Sequence, residues 1–269
     1  MKSIQIKKAN GETQAFSNNK IRESLNRIGV PHNIIDKILV QLTGQLRDGI
    51  STREIYRLIF SLLNQYDLPD SYRYSLKPAL MNLGPSGYPF EKFIAKLLIR
   101  LGYTTQTQVI LKGKCIEHEI DVIAVKNNLV NLIECKYHNH PGTKSHSKDV
   151  LYVQARFEDI QEAFPGKYHR FWLVTNTRAT QKAIQYCRCR NLNLIAWRYP
   201  KSGGLEVMID QARAYPITCL SFLSPSEIQR LFELEIILIS DLVNLPEKQF
   251  SNLGLSSQAK NNLQKIRVS

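Results

Sequence analysis

Ile120-Asp121-Val122-Ile123-Ala124-Val125-Lys126-Asn127-Asn128-Leu129-Val130-Asn131-Leu132-Ile133-Glu134-Cys135-Lys136 is the stretch that decides the fold. Two apolar runs flank the polar Lys126-Asn127-Asn128, the pattern of two strands joined by a short turn. Side chains alternate along a strand, so Glu134 and Lys136 share a face and Cys135 points away. Asp121 opens the first run. The turn can bring it beside the Glu134/Lys136 end of the second, so that two carboxylates and a lysine meet at one end of a hairpin.

Outward from the hairpin, the periodicity changes in a definite order. Phe90, Phe93, Ile94, Leu97 and Leu98 stand at helical spacing, predicting a helix over about 89–101 that Gly102 ends. A strand at about 106–112 precedes the hairpin strands, about 118–125 and 129–136. A helix over about 148–164, a strand at Phe171-Trp172-Leu173-Val174, a helix over about 178–190 and a strand from Leu192 to Trp197 follow. This αβββαβαβ order predicts an α/β fold, a mixed sheet flanked by helices.

Two carboxylates with a lysine suit phosphodiester hydrolysis. A hard cation, Mg²⁺ or Mn²⁺ in its place, takes oxygen ligands from Asp121, Glu134 and the backbone carbonyl near Cys135. It lowers the pKa of a bound water and offsets charge on the phosphate. Lys136 orients the water and stabilises the charged transition state.

The arrangement resembles the PD-(D/E)xK nuclease superfamily, and within it the Mrr-like restriction endonucleases. The residues that carry the resemblance are Glu91, Ile120-Asp121-Val122-Ile123, Ile133-Glu134-Cys135-Lys136 and Gln154 in Tyr152-Val153-Gln154-Ala155-Arg156. It spans about 88–198. It implies a DNA endonuclease with Asp121, Glu134 and Lys136 at its centre. Glu91 would be a further acid and Gln154 a helix glutamine of the site. Glu119, two residues before Asp121, is a further candidate for the same face. The loop 137–147, with His138, His140, Gly142, Lys144, Ser145 and His146, reads as solvated and mobile near phosphates.

Before this segment, Ile4-Gln5-Ile6-Lys7 alternates as a strand. Asn10-Gly11 reads as a tight turn, and Gln14-Ala15-Phe16 as a second strand. Ser17 is an N-cap candidate, and helices are expected over about 33–47, 52–65 and 69–82, with Thr52 a candidate cap for the second of these. The stretch resembles the ATP-cone, a nucleotide-sensing domain, on Ile6-x-Lys8-x-Asn10-Gly11, Phe16-Ser17-x-x-Lys20-Ile21 and Asp48-Gly49-Ile50-Ser51-Thr52-x-x-Ile55. By that resemblance Ile6, Lys8, Ser17, Lys20, Thr52, Ile55 and Tyr56 contact the nucleotide. No Walker-type Gly-rich loop is present, so ATP or dATP is expected as an effector and not as fuel.

After it, Ser224-Pro225-Ser226-Glu227 starts a helix. Leu231-Phe232-Glu233-Leu234 through Phe250, Leu253-Gly254-Leu255-Ser256 and Leu263 resemble helix-hairpin-helix modules, whose turn offers N–H groups to a DNA phosphate. The expected domains are therefore 1–85, 88–214 and 215–269, the last a small all-α tail.

Composition agrees with a nucleic-acid partner. The net charge is +13, and residues 87–214 hold 19 Lys/Arg against 11 Asp/Glu, or +8 of it. Five cysteines, odd in number and scattered, fit a reducing cytoplasmic compartment. No apolar run is long enough to span a membrane. One site per chain cutting both strands of DNA favours a homodimer or higher homo-oligomer. A second reading keeps the fold and removes the chemistry: a nucleotide-sensing, DNA-binding regulator whose nuclease domain is silent.

Overall fold

The computed structural model describes residues 4–8, 11–66, 71–140 and 142–268. The contacts divide the chain into one unit of Met1–Pro78, Cys219–Leu223 and Leu255–Ser269, and another of Ala79–Thr218 and Ser224–Gly254. The helical tail thus contributes to both. No described helix is long and apolar enough to cross a membrane.

The first unit begins with β1 (Gln5–Lys7) and β2 (Thr13–Ala15), which pair antiparallel. Asn10 of the expected Asn10-Gly11 turn lies outside the described residues. Helices α1 (Asn18–Arg27) and α2 (His32–Thr43) follow, then β3 (Ile50–Ser51), which joins β1 in parallel. Next come α3 (Thr52–Asn64), a 3₁₀ turn at Ser71–Ser75 and α4 (Leu76–Met81). Ser17 caps α1 as expected, its hydroxyl accepting the Lys20 N–H. The cap of α3 is Ser51, not Thr52: its hydroxyl accepts the Glu54 N–H while Glu54 reaches back to the Ser51 N–H. This reciprocal pairing satisfies two donors that a helix start leaves over. Ile6, Leu25, Ile35, Ile38, Ile55 and Ile59 form the core.

The second unit is built on α5 (Tyr88–Arg100), β4 (Thr104–Lys112), β5 (Glu117–Lys126), β6 (Leu129–Lys136), β7 (Lys144–Ser145), α6 (Ser147–Ala163), β8 (Arg170–Thr175), β9 (Arg178–Ala179), α7 (Gln181–Cys189), β10 (Asn193–Ile195) and α8 (Leu205–Ala212). Its main sheet runs β10-β8-β6-β5-β4. The three-stranded antiparallel part, β4-β5-β6, continues into parallel β8 and β10. Asn127 and Asn128 both take left-handed φ, 52° and 61°, in the β5–β6 turn, which asparagine tolerates best among non-glycine residues. The predicted helix from 178 starts later. Arg178-Ala179 instead pairs with Lys144-Ser145, and Thr180 caps α7 from Gln181. Four helices, α9 (Pro225–Glu233), α10 (Ile239–Val243), α11 (Glu247–Ser251) and α12 (Ser257–Val268), complete the chain.

Two helix layers cover the main sheet. Val150, Val153 and Ile160 of α6 and Ala183 and Cys187 of α7 pack with Leu132, Phe171, Leu173 and Leu194. Helix α5 contacts β4, β5 and β6 and buries Phe90, Phe93, Ile94, Leu97 and Leu98. The far end of the β4–β5 hairpin is fastened to α6 by one carboxylate. Asp159 accepts the N–H groups of Cys115 (2.8 Å) and Ile116 (3.3 Å) and lies 2.7 Å from His118 Nε2. Gly113 leaves room for this, because a Cβ there would stand 2.0 Å from Asp159 Oδ2 and 2.8 Å from the Ile116 carbonyl. Gly113→Ala is expected to destabilise the second unit by about 1–3 kcal/mol, as overpacking that must push a carboxylate off its partners does. Urea unfolding of the full chain checks this.

Candidate active site

Asp121 stands where the sheet changes its pattern. On the β4 side the register runs Thr107↔Val122 and Val109↔Ile120, with Gln108 between them at a left-handed φ of 55°. Val109 and Ile120 join the α6 core, as does Ile123, while Val122 is buried outside that cluster. Ile120 and Val122, of the same parity on the two sides of Asp121, therefore bury in different surroundings. On the β6 side the ladder stops at Val122↔Ile133. In place of a main-chain partner, the Cys135 N–H donates to Asp121 Oδ2 at 2.7 Å. The carboxylate of one strand thus reaches the backbone of the other between Glu134 and Lys136. An interruption of this kind re-aims a side chain, and such features gather beside active sites.

The electrostatics follow from this crowding. Burial, then Glu134 and Glu91, push Asp121 up to about 7, against the help of the Cys135 N–H. Burial also raises Glu134, while Arg156 and Lys136 pull it back. Glu91, in the first turn of α5, is raised by burial and then by Glu119 and Glu134. Three of the predicted acids, Asp121, Glu134 and Glu91, thus lie within one another's fields, and exposed Glu119 adds to them. Ionised together they repel, and a proton or a nearby cation relieves this.

Lys136 lies at the end of β6, its Nζ 3.9 Å from Asp149 Oδ1 on α6. Gln154 is not brought to the carboxylates by any bond it makes. Its amide nitrogen donates to Glu158 at 2.7 Å, and its oxygen is buried without a hydrogen-bond partner among the described residues. The α6 residue that does reach the site is Arg156, whose guanidinium pairs with Glu134 and with the Glu119 carbonyl. Sequence reasoning gave Arg156 no role. Its signal was the seven-residue spacing from Asp149, two helical turns, which puts both on one stripe.

In the loop after β6, His138 and Ser145 are held by the protein, while His140, Gly142, Lys144 and His146 are exposed. Asn176 accepts the His138 N–H at 2.9 Å and donates to the His138 carbonyl at 2.8 Å. His138 Nε2 lies 3.1 Å from the hydroxyl of Ser145, which in turn donates to Thr175 at 3.2 Å. Ser145, Thr175, Asn176 and Thr177 are all buried. Tyr137 donates from its hydroxyl to the Met81 carbonyl at 2.8 Å. This network holds the strand end that carries Glu134 and Lys136.

The donors suit a hard divalent cation. Among the described residues no three His, Cys, Asp or Glu side chains close on one point as a ready-made ligand set. Asp121 and Glu134 are the residues that would hold such an ion through carboxylate oxygens, with Mg²⁺ keeping several waters of its own. Cys135 enters only through its main chain, because burial pushes its thiol well above the usual range.

In the first unit, the expected nucleotide contacts fall at two ends of a short sheet. Lys8 follows β1, beside Ser51 and Thr52, since Lys7 pairs with Ser51. Ser17 and Lys20 stand at the other end, where Gln5 pairs with Ala15. Lys8 is paired with Glu12 at 2.9 Å, and Lys20 is exposed. Ile6 and Ile55 are buried in the core. Tyr56 stacks on Tyr74 with ring centroids 5.3 Å apart, and burial pushes its phenol up to about 12. In the tail, Gly254 takes a φ of 65°, and Arg230 donates to its carbonyl at 2.9 Å.

Comparison with known proteins matches these parts in order. Residues 4–75 match the ATP cone domain, 84–198 a restriction endonuclease domain and 215–266 the AF1548-like C-terminal domain. Over 168 residues the chain is 34% identical to an uncharacterized protein of Archaeoglobus fulgidus, covering 61% of this chain and 92% of that one. It is also similar to the crystal structure of AF1548, a protein of unknown function, with a TM-score of 0.57 and 31% identity over 67% of this chain and 95% of the other. The chain therefore belongs to the AF1548-like family, with an Mrr-type restriction endonuclease domain between an ATP cone and the family's C-terminal domain.

Proposed function

We propose that this chain is a divalent-metal-dependent DNA endonuclease whose ATP cone takes ATP or dATP as an effector. The observation that carries the reading is the meeting of Asp121 and Glu134 across the broken β5–β6 ladder, tied by the Cys135 N–H, with Lys136 at the same strand end. A bound Mg²⁺ or Mn²⁺ would supply a water of lowered pKa and offset charge on the scissile phosphate. The chain's own residues do the rest. Asp121 and Glu134 fix the cation's place, Glu91 adds negative charge behind them, and Lys136 orients the attacking water and answers the phosphate's growing charge. The basic excess of residues 87–214 favours a polyanionic substrate. Two chains acting together would cut both strands, which makes a homodimer or higher homo-oligomer the expected working form.

One observation favours the second reading, a nucleotide-sensing, DNA-binding regulator with a silent site. Glu134 and Lys136 already have partners within the chain, Arg156 and Asp149. Cleavage separates the two. On linear duplex DNA with Mg²⁺, Asp121→Asn, Glu134→Gln and Lys136→Met should each lose roughly 10²–10⁴ in rate while DNA binding persists. Binding without cleavage by the unaltered chain, over a range of divalent metals, would leave the regulator.

The raised Asp121 gives a second expectation. Its folded pKa of about 7 exceeds the ordinary 3.8. Between those values the folded state binds more protons than the unfolded one, so stability falls as pH rises. Without divalent metal, the melting temperature of the second unit should fall from pH 5 to pH 7.5. Added Mn²⁺ should restore it at pH 7.5 more than at pH 5, and a flat profile would count against an Asp121 raised by burial.

For the ATP cone, ATP or dATP should raise the melting temperature of the full chain, since a ligand held by the folded state stabilises it. Lys8→Ala and Lys20→Ala should shrink that shift, and no shift with either nucleotide would remove the effector from the reading.

A further inference from the structure

Helix α6 answers the site charge for charge. Asp149 faces Lys136, with 3.9 Å between charged atoms, and two turns on, Arg156 faces Glu134. The Arg156 guanidinium spans the gap between strands, one nitrogen on the Glu134 carboxylate of β6 and the other on the Glu119 carbonyl of β5. Tyr152, itself exposed, stacks its ring against the guanidinium, 5.3 Å from Cζ to centroid. The two charged side chains are only 11% and 18% exposed.

A buried ion pair is poor evidence of a stabilising role, because desolvation offsets most of the attraction. Arginine also cannot shed its charge when a competitor arrives. A divalent cation binding at Asp121 and Glu134 would meet a fixed positive charge already on one of its ligands, so the two compete. The scissile phosphodiester brings the next anion into the site, and its geometry matches the arginine fork.

We propose that Arg156 is the built-in countercation of the site: it holds Glu134 when no divalent ion is bound, and passes to the scissile phosphate, as a phosphate ligand, when ion and DNA are bound. The inference rests on the reading of Asp121 and Glu134 as a cation site. It makes Arg156 both an obstacle to metal binding and an aid to cleavage, so one substitution should move the two in opposite directions.

The test uses the full chain, with Mn²⁺ alone titrated calorimetrically in the absence of DNA, cleavage of linear duplex in Mg²⁺, and thermal melting to check folding. Arg156→Gln should bind Mn²⁺ roughly tenfold tighter or more, since an adjacent positive charge is gone. It should cleave roughly 10²–10³-fold more slowly, as loss of a transition-state donor does. Arg156→Lys keeps the charge and loses the fork, so Mn²⁺ affinity should stay near the unaltered value while cleavage falls. If Arg156→Gln does not fold, the lysine variant decides: weaker Mn²⁺ binding or undiminished cleavage overturns the inference. For a folded Arg156→Gln, Mn²⁺ affinity that is unchanged or weaker, or an unchanged cleavage rate, overturns it too. Asp121→Ala separates this failure from that of the underlying reading. If Asp121→Ala loses Mn²⁺ and Arg156→Gln binds it as before, only the countercation is wrong. If Asp121→Ala binds Mn²⁺ as well as the unaltered chain does, the cation site fails and the countercation with it.

Discussion

Carboxylates gathered where water is scarce must be neutralised, and the second unit is arranged around that requirement. Asp121, Glu134 and Glu91 come from β5, β6 and α5, and each is raised above its ordinary range first by burial; acidic neighbours add to this for Asp121 and Glu91, while Arg156 and Lys136 offset it for Glu134. Bringing like charges together in this way costs free energy that ordinary packing does not return. The compensation is local: the Cys135 N–H on Asp121 and the Arg156 guanidinium on Glu134. What a stability argument would treat as a fault is the condition under which a divalent cation, if bound there, would gain most.

The fold supports this arrangement from two sides. The pleat is interrupted at Gln108 and Asp121, so the carboxylate turns to the neighbouring strand's backbone instead of following the alternation of its own. Beyond β6, the side chain of Asn176 completes both main-chain bonds of His138, extending the grip of β8 on β6 past the last regular pair, Lys136↔Thr175. A strand end that would otherwise fray is held in place beside Lys136. Helix α5 is anchored in turn by ion pairs of Lys92 with Glu235 and Lys96 with Asp241. The short helices after β10 thereby brace the helix that carries Glu91.

The hairpin and the order of elements around it were legible because apolar period and turn chemistry are local properties. The Asn127-Asn128 turn, the α5 stripe and the Ser17 cap all follow from a few adjacent residues. That Asp121 comes beside the Glu134–Lys136 end of β6 was legible from the same hairpin, although Asp121 lies inside β5 and not at its end. What local pattern did not carry has a different cause. Gln154 and Arg156 stand in one five-residue stretch, and only the docking angle of α6 decides which of them reaches Glu134. His138 and Ser145 read as solvated because their partners, Asn176 and Thr175, lie 38 and 30 residues away in the chain. The left-handed Gln108 sits in an ordinary alternating run, where no residue type marks it.

That conformation bears on how the chain finds its structure. In a regular hairpin, a slip of one residue exchanges the two faces wholesale, and a slip of two restores them. In β5 the faces exchange partway along, at Asp121, so a slip of two would also misplace the core residues on one side of the interruption. The break in the pleat therefore acts as a register lock. A misaligned hairpin cannot bury its apolar residues on both layers, and the carboxylates are assembled only by chains that have paired correctly.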